Sequence, residues 1–304
     1  MTSASLNPSI SANAADEARI KTIVESVASL ADTRNFESLE LFFADPVLVD
    51  YTSAFGGEPE SKSPSELMIS WAGLLPGFDC TRHQISNVEA AVDDEEASAS
   101  AQVVADHYLG NHYWQVTGTY RYRFVKESNL WKISSMTFLL ESEVGPRNIL
   151  TLAAKSSARH PVSYLLRHKT HQVVIHLLKN LEQMDLNAIA ELWAEDAIQD
   201  MPYSQYGYPK RIVGKDNLLK HYTMWPEMID KADLTSQLVF YPMVDPEWAF
   251  IEFHAVLHIK ATGGIYEQKY AALFHVVHGK IKLYRKYFDP TLYAHAFHLD
   301  TGAG

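Results

Sequence analysis

The sequence predicts an α+β protein built as two tandem cone-shaped barrels, each a curved antiparallel sheet whose N-terminal helices enclose a pocket. Three observations predict it. The chain repeats itself, and each repeat runs helices first and strands after. Its 304 residues, 47% hydrophobic and 21% charged, suit two ordinary cores better than one large one.

The first halves of the repeats are residues 20–51 and 173–201. Each reads as an amphipathic helix, a short polar turn, a second short helix and a strand ending in aspartate, with Asp50 and Asp200 at equivalent places. The second halves are strands. Residues 99–109 and 248–259 alternate in the strand manner, 116–125 and 264–277 follow, and 131–140 and 280–288 close each repeat. Glu127-Ser-Asn129 and Gly279-Lys280 are the turns between the last two strands. Gly145-Pro146, Lys155-Ser-Ser-Ala and His160-Pro161 are breakers. The expected organisation is a disordered tail at 1–14, domain 1 at 15–145, a linker at 146–167 with a short helix at 148–154, domain 2 at 168–298 and a tail at 299–304.

Composition narrows the function classes. A net charge of −11 without a basic stripe argues against a nucleic-acid partner. The single cysteine, Cys80, excludes an intramolecular disulfide and a cysteine metal cluster. No apolar run reaches membrane-spanning length and the N-terminus has no signal-peptide pattern, so the expected location is the cytoplasm, with no membrane partner. Aromatics at 12% suit a pocket lined by rings, and equally a packed core.

Three segments carry a family resemblance: Phe43-Ala-Asp-Pro-Val-Leu-Val-Asp-Tyr51, Thr81-Arg-His-Gln-Ile-Ser-Asn87 and the hairpin ending Leu130-Trp-Lys-Ile. They resemble the SnoaL-like superfamily of the nuclear transport factor 2-like fold. The first repeat is most similar to the branch holding scytalone dehydratase and hexachlorocyclohexane dehydrochlorinase. The second, with Gly279-Lys-Ile-Lys-Leu-Tyr-Arg-Lys-Tyr-Phe-Asp-Pro290, is similar to the phenazine-biosynthesis and ketosteroid-isomerase-like branches.

The resemblance implies a catalytic set in the first repeat. Read alone, Asp32 is a helix-cap or turn residue. The resemblance makes it the partner of His83, the proton-abstracting base. Histidine suits that work because its ordinary pKa of about 6.5 lies near working pH, and a carboxylate partner fixes its tautomer. Tyr51 is implied to polarise a substrate carbonyl, and His107 to help a hydroxyl leave. His112 is the rival of His107, because the intervening loop is shorter than the dehydratase loop. Expected substrate-binding side chains are His112, Trp71, Trp114, Phe55 and Tyr122. Ala31 stands where the dehydratase has a tyrosine, and Tyr122 and Phe124 lie near its serine and asparagine, so scytalone itself is not the expected substrate.

In the second repeat Glu182 stands for Asp32, Met201 for Tyr51, and the His83 position falls near Leu234. Its inward polar candidates are Glu252, His254 and His258 on one strand, with Tyr203 and Tyr206 at the mouth. A two-histidine, one-carboxylate metal site at His83, His107 and Asp32 is conceivable from the residue types. The resemblance implies neither metal nor cofactor.

The expected function is a cofactor-independent dehydratase-like lyase acting on a small cyclic or polyketide-like molecule. Alternatives are an isomerase, cyclase or epoxide-opening enzyme using the same pair, and a non-catalytic small-molecule-binding or assembly protein. Expected partners are the small-molecule substrate and the other repeat, in a pseudo-dimeric chain that could form a homodimer.

Overall fold

A computed structural model describes residues 8–204 and 208–296, with side chains from residue 13 onward. The chain forms two compact units, Met1–Leu165 and Leu166–Gly304.

Unit 1 opens with α1 (Pro8–Asp32). Ile20, Val24, Val27 and Ala31 fall on one stripe of it and are buried. The helix ends where Arg34 turns left-handed at φ 58°. The side chain of Asn35 then caps α2 (Phe36–Glu40). β1 (Phe43–Asp50), α3 (Thr52–Phe55) and β2 (Glu60–Lys62) follow. α4 (Pro64–Ala72) starts in a capping box, Ser63 with Glu66. A 3₁₀ turn at Leu75–Gly77 leads into four long strands, β3 (Cys80–Asp93), β4 (Glu96–Leu109), β5 (His112–Glu127) and β6 (Leu130–Val144).

The sheet order is β2-β1-β6-β5-β4-β3. The α+β cone with its helices on one curved sheet is as expected; the sheet is mixed where antiparallel pairing was expected throughout, because β1 pairs β6 in parallel, and β2 and β3 remain as edges. The sequence could show the hairpins joining β3 to β6, but the pairing of β1 with β6 spans most of the unit and leaves no local signal.

Two expected boundaries also move. The tail assigned to 1–14 gives way to α1 from Pro8, a residue suited to a first helical turn; residues 1–7 and 299–304 lie outside the described residues. Within the expected linker, Asn148–Arg159 form α5 and belong to unit 1. Ile149, Ala153 and Ser157 make its buried stripe. Ser157 Oγ donates to the Ala72 carbonyl at 2.9 Å, and a Cβ added at Gly77 would lie 1.8 Å from the Ala153 carbonyl oxygen. α5 is seated, not strung.

Unit 2 repeats the plan with α6 (Ser163–Glu182), α7 (Leu186–Leu192), β7 (Trp193–Asp200), β8 (Arg211–Val213), α8 (Lys215–Tyr222) and α9 (Trp225–Met228). β9 (Ile229–Asp233), β10 (Leu238–Pro242), β11 (Trp248–Ile259), β12 (Ile265–Val277), β13 (Lys280–Tyr287) and α10 (Pro290–Ala296) complete it. β7 pairs β13 in parallel, as β1 pairs β6. β9 and β10 both pair β11, so together they stand where the single strand β3 stands in unit 1.

The ladders align the units residue by residue. Asp50 pairs Thr137, and Asp200 pairs Arg285. Phe138 pairs Tyr120, while its counterpart Lys286 pairs Ala272. His107 pairs Trp114, and the matching position on β11 is Leu257.

Candidate active site

The end of α1 and the start of β3 build the centre of the site. Asp32 is the last residue of the helix, and its carboxylate reaches three groups of β3. Thr81 Oγ1 donates to Oδ1 at 2.8 Å, the His83 backbone N–H donates to Oδ2 at 2.8 Å, and His83 Nδ1 lies 2.6 Å from Oδ1. Thr81 and His83 present to the same face because strand side chains alternate. The backbone of the turn is tied down by Arg34, whose guanidinium donates to the Asp32 carbonyl at 2.6 Å and to the Phe78 carbonyl at 3.1 Å. Burial pushes the Asp32 carboxyl up, but the hydrogen bond and charge of the His83 ring, with the two β3 donors, outweigh it and hold the pKa below its ordinary value. A carboxylate bound this way stays ionised and holds the Nδ1 proton, which leaves Nε2 as the lone-pair nitrogen of His83.

That ring lines a cavity of about 410 Å³ enclosed by the helices and the inner face of the sheet. Tyr51, Trp71, His107, Trp114 and Tyr122 line it as well, and Phe55, 54% exposed, stands at its rim. Three tyrosine phenols gather on the wall: Tyr51 at the end of β1, and Tyr120 and Tyr122 two apart on β5. Ala101 and Ala99 stand opposite Tyr120 and Tyr122 on β4, small enough to leave the rings room. Burial raises the Tyr51 phenol well above its ordinary pKa, and the Tyr120 and Tyr122 phenols add to this, so it remains a proton donor. Asp50, beside it in sequence, is engaged with the first residue of α3, accepting from Thr52 N at 2.9 Å and Thr52 Oγ1 at 2.7 Å.

His107 sits on β4 with its ring centroid 5.5 Å from that of His83, between Phe78 at 4.9 Å and Trp114 at 4.8 Å. It is 5% exposed, and its Nδ1 has no hydrogen-bond partner among the described residues. Burial, then the charge of His83, lowers its pKa to about 4, so the imidazole is neutral near pH 7. His112 is corrected: it starts β5 at the exposed end of the β4–β5 hairpin, paired with Leu109, and does not line the cavity. The hairpin is two residues long, which leaves the inner position to His107 alone.

A second tie crosses the cavity wall. Trp114 Nε1 donates to Glu143 Oε1 at 2.6 Å, Glu143 pairs with Arg147 at 2.6 Å, and Arg147 donates to the Ala54 carbonyl at 2.7 Å while its guanidinium lies 5.7 Å from the Phe55 ring. The rim of the cavity is thereby fixed to its wall. Sequence reasoning missed Tyr120, Thr81 and this tie. Period two along 118–124 and 81–85 would have put Tyr120 beside Tyr122, and Thr81 beside His83.

Unit 2 keeps the clamp without the pair. Glu182 Oε1 accepts from Leu234 N at 2.6 Å, from Thr235 N at 2.8 Å and from Thr235 Oγ1 at 2.9 Å. Asp233 pairs Val256, so the next residue, Leu234, aligns with Ala255, as His83 pairs Ala105 in unit 1. The second-unit candidates are corrected. Glu252, His254 and His258 do share a face, but it is the outer one. Ala249, Ile251, Phe253, Ala255 and Leu257 take the inner face and are buried, because the continuous apolar set wins the core. Tyr203 is 62% exposed, its ring 5.8 Å from that of Tyr287; Tyr206 lies outside the described residues. Among the described residues no cluster of three histidine, cysteine, aspartate or glutamate side chains could hold a metal ion.

Two family models, each described as a SnoaL-like domain, match residues 12–137 and 174–284. The uncharacterized protein YesE of Bacillus subtilis is 32% identical over 115 residues, 38% of this chain and 78% of that protein. An uncharacterized PhzA/B-like protein of Pseudomonas aeruginosa is 28% identical over 119 residues, 39% of this chain and 83% of its own length. Among solved structures, a Bacillus subtilis protein provisionally assigned as an isomerase is 28% identical, with a TM-score of 0.41 and coverage of 44% of this chain and 95% of that one. The chain thus belongs to the SnoaL-like family and carries two such domains in tandem.

Proposed function

We propose that unit 1 is an acid/base enzyme that abstracts a proton alpha to a carbonyl on a small cyclic or polyketide-like substrate and eliminates water from it. The observation that carries this is the Asp32–His83 pair, 2.6 Å apart, with the imidazole on the wall of an apolar cavity. His83 Nε2 takes the proton. Asp32 fixes the tautomer and stabilises the imidazolium as it forms. Tyr51 donates a hydrogen bond to the developing enolate oxygen, where a buried phenol is worth more than in water. The leaving hydroxyl needs a proton, and the resemblance assigns that task to His107. A neutral His107 has no surplus proton to give, so the His83 imidazolium returns the proton it removed, and His107 orients the hydroxyl.

The same neutrality favours a second reading, isomerisation, in which His83 redelivers the proton to another substrate carbon. Both readings are tested together by following α-proton exchange and water loss of cyclic β-hydroxyketones in D₂O by NMR. His83→Ala is expected to lower exchange by about 10³-fold, within the range of general-base contributions. Exchange that persists in both His83→Ala and Asp32→Asn would remove the pair from the mechanism.

A further inference from the structure

We infer that unit 2 carries a site of its own, in which the amine of Lys286 condenses with a small ketone or aldehyde to form an imine. The inference is independent of the Asp32–His83 reading and rests on the inner face of β13. Lys286 occupies the position held in unit 1 by Phe138, and across the ladder Ala272 replaces Tyr120. A long amine thus projects where a ring stood, opposite a residue small enough to admit it.

The surroundings suit a nucleophile better than a structural cation. The Nζ lies 5.7 Å from the Tyr270 ring, 5.8 Å from Tyr284 and 5.9 Å from Phe288. Among the described residues no carboxylate pairs with it and no acceptor bonds it. The aromatic faces offer partial compensation for a charge, but less than water or an anion would. Lys286 is half-buried as a residue, and its amine lies among the rings. Burial lowers its pKa to about 8. That leaves a usable fraction of free amine near pH 7, the usual means of activating such a lysine.

An acid/base pair includes a histidine that feels the charge of the amine. Tyr208 Oη lies 3.4 Å from His221 Nε2 on α8. Burial, then the Lys286 charge, lowers the His221 pKa to about 4, which keeps the imidazole neutral and able to relay protons.

The step balances without a co-reactant. The nitrogen lone pair attacks the carbonyl carbon, the C–N bond forms, and the C=O π pair moves to oxygen. A proton passes from nitrogen to oxygen, by way of His221 and Tyr208. The C–O bond then breaks, water leaves and C=N forms, so that one amine and one carbonyl give one imine and one water with no change of oxidation state. The ring-rich cage points to a carbonyl compound with an apolar or aromatic body.

The test incubates the full chain with acetylacetone, whose imine with a low-pKa lysine tautomerises to an enaminone absorbing in the near ultraviolet. The expected result is a single adduct mapped by peptide mass spectrometry to Lys286, forming about tenfold or more faster than at any surface lysine, because more of its amine is free base. Lys286→Met should abolish the band, and Lys282→Arg, on the outward-facing ion pair with Asp196, should leave it. No band in the folded native chain, adducts spread evenly over exposed lysines, or a band that survives Lys286→Met would each overturn the inference. If the methionine variant does not fold, the mapping on the native chain decides.

Discussion

At the scale of single residues the site separates structural from chemical work. The Asp32 carboxylate holds the start of β3 through Thr81 and the His83 backbone as well as orienting the imidazole. Asp32→Asn should therefore lower both turnover, by about 10² or more, and stability, by about 1–3 kcal/mol. His83→Ala should lower turnover and leave the melting temperature nearly unchanged. Measuring exchange rate and thermal unfolding on the same two variants checks the split. His107 has a further consequence. Its pKa is about 4 in the folded chain and about 6.5 in the unfolded one, so between those values the unfolded chain binds the extra proton. Stability from keeping His107 neutral is full above about pH 6.5 and is lost as pH falls toward 4, on the order of 3 kcal/mol. His107→Leu should flatten the fall of melting temperature across that window.

At the scale of elements, strand periodicity was legible and facing was not. The sequence showed that Glu252, His254 and His258 share a face; which face depends on the neighbours that bury Ile251, Phe253 and Ala255. Asp32 and His83 were legible only with the resemblance, since a turn aspartate and a strand histidine carry no signal of their own. Helix α5 was hidden by its composition: Lys155, two serines and Arg159 read as linker, while the stripe Ile149, Ala153, Ser157 has only one large apolar member. Its seat gives a test. Gly77→Ala places a methyl into the Ala153 carbonyl, and backbone cannot yield as a flexible side chain can. The variant should lose about 2–4 kcal/mol of unit 1 stability and expose α5 to proteolysis, while unit 2 retains its own unfolding transition.

At the scale of the whole chain, one scaffold is used twice with its polar groups in different places. The repeat and the helix-then-strand order were readable from residues 20–51 and 173–201 because they are local patterns. The parallel pairings of β1 with β6 and β7 with β13 were not, because they join segments far apart in sequence. The two units also fail in the same direction on acidification. His171 and His221 in unit 2, like His107 in unit 1, have pKa values lowered to about 4, with burial the first cause in each. The acid clamp, by contrast, is separable between units. Glu182→Ala leaves Leu234 and Thr235 without their acceptor. It should cost unit 2 about 2–4 kcal/mol without changing proton exchange at His83, as calorimetry and the exchange assay on one sample would show.

The clamp at Glu182 also bears on what mutation can do to such a chain. Its three donors are two backbone amides and a threonine hydroxyl, so none of its strength depends on an imidazole. A leucine sits at each place where unit 1 has a histidine of the site, Leu234 for His83 and Leu257 for His107. Leucine and histidine codons can differ by a single base. The chemistry proposed for unit 1 therefore differs from its counterpart positions in unit 2 by a few point mutations, in side chains the Glu182 clamp does not use. A chain that holds two copies can hold the proposed chemistry in one while the polar groups of the other drift.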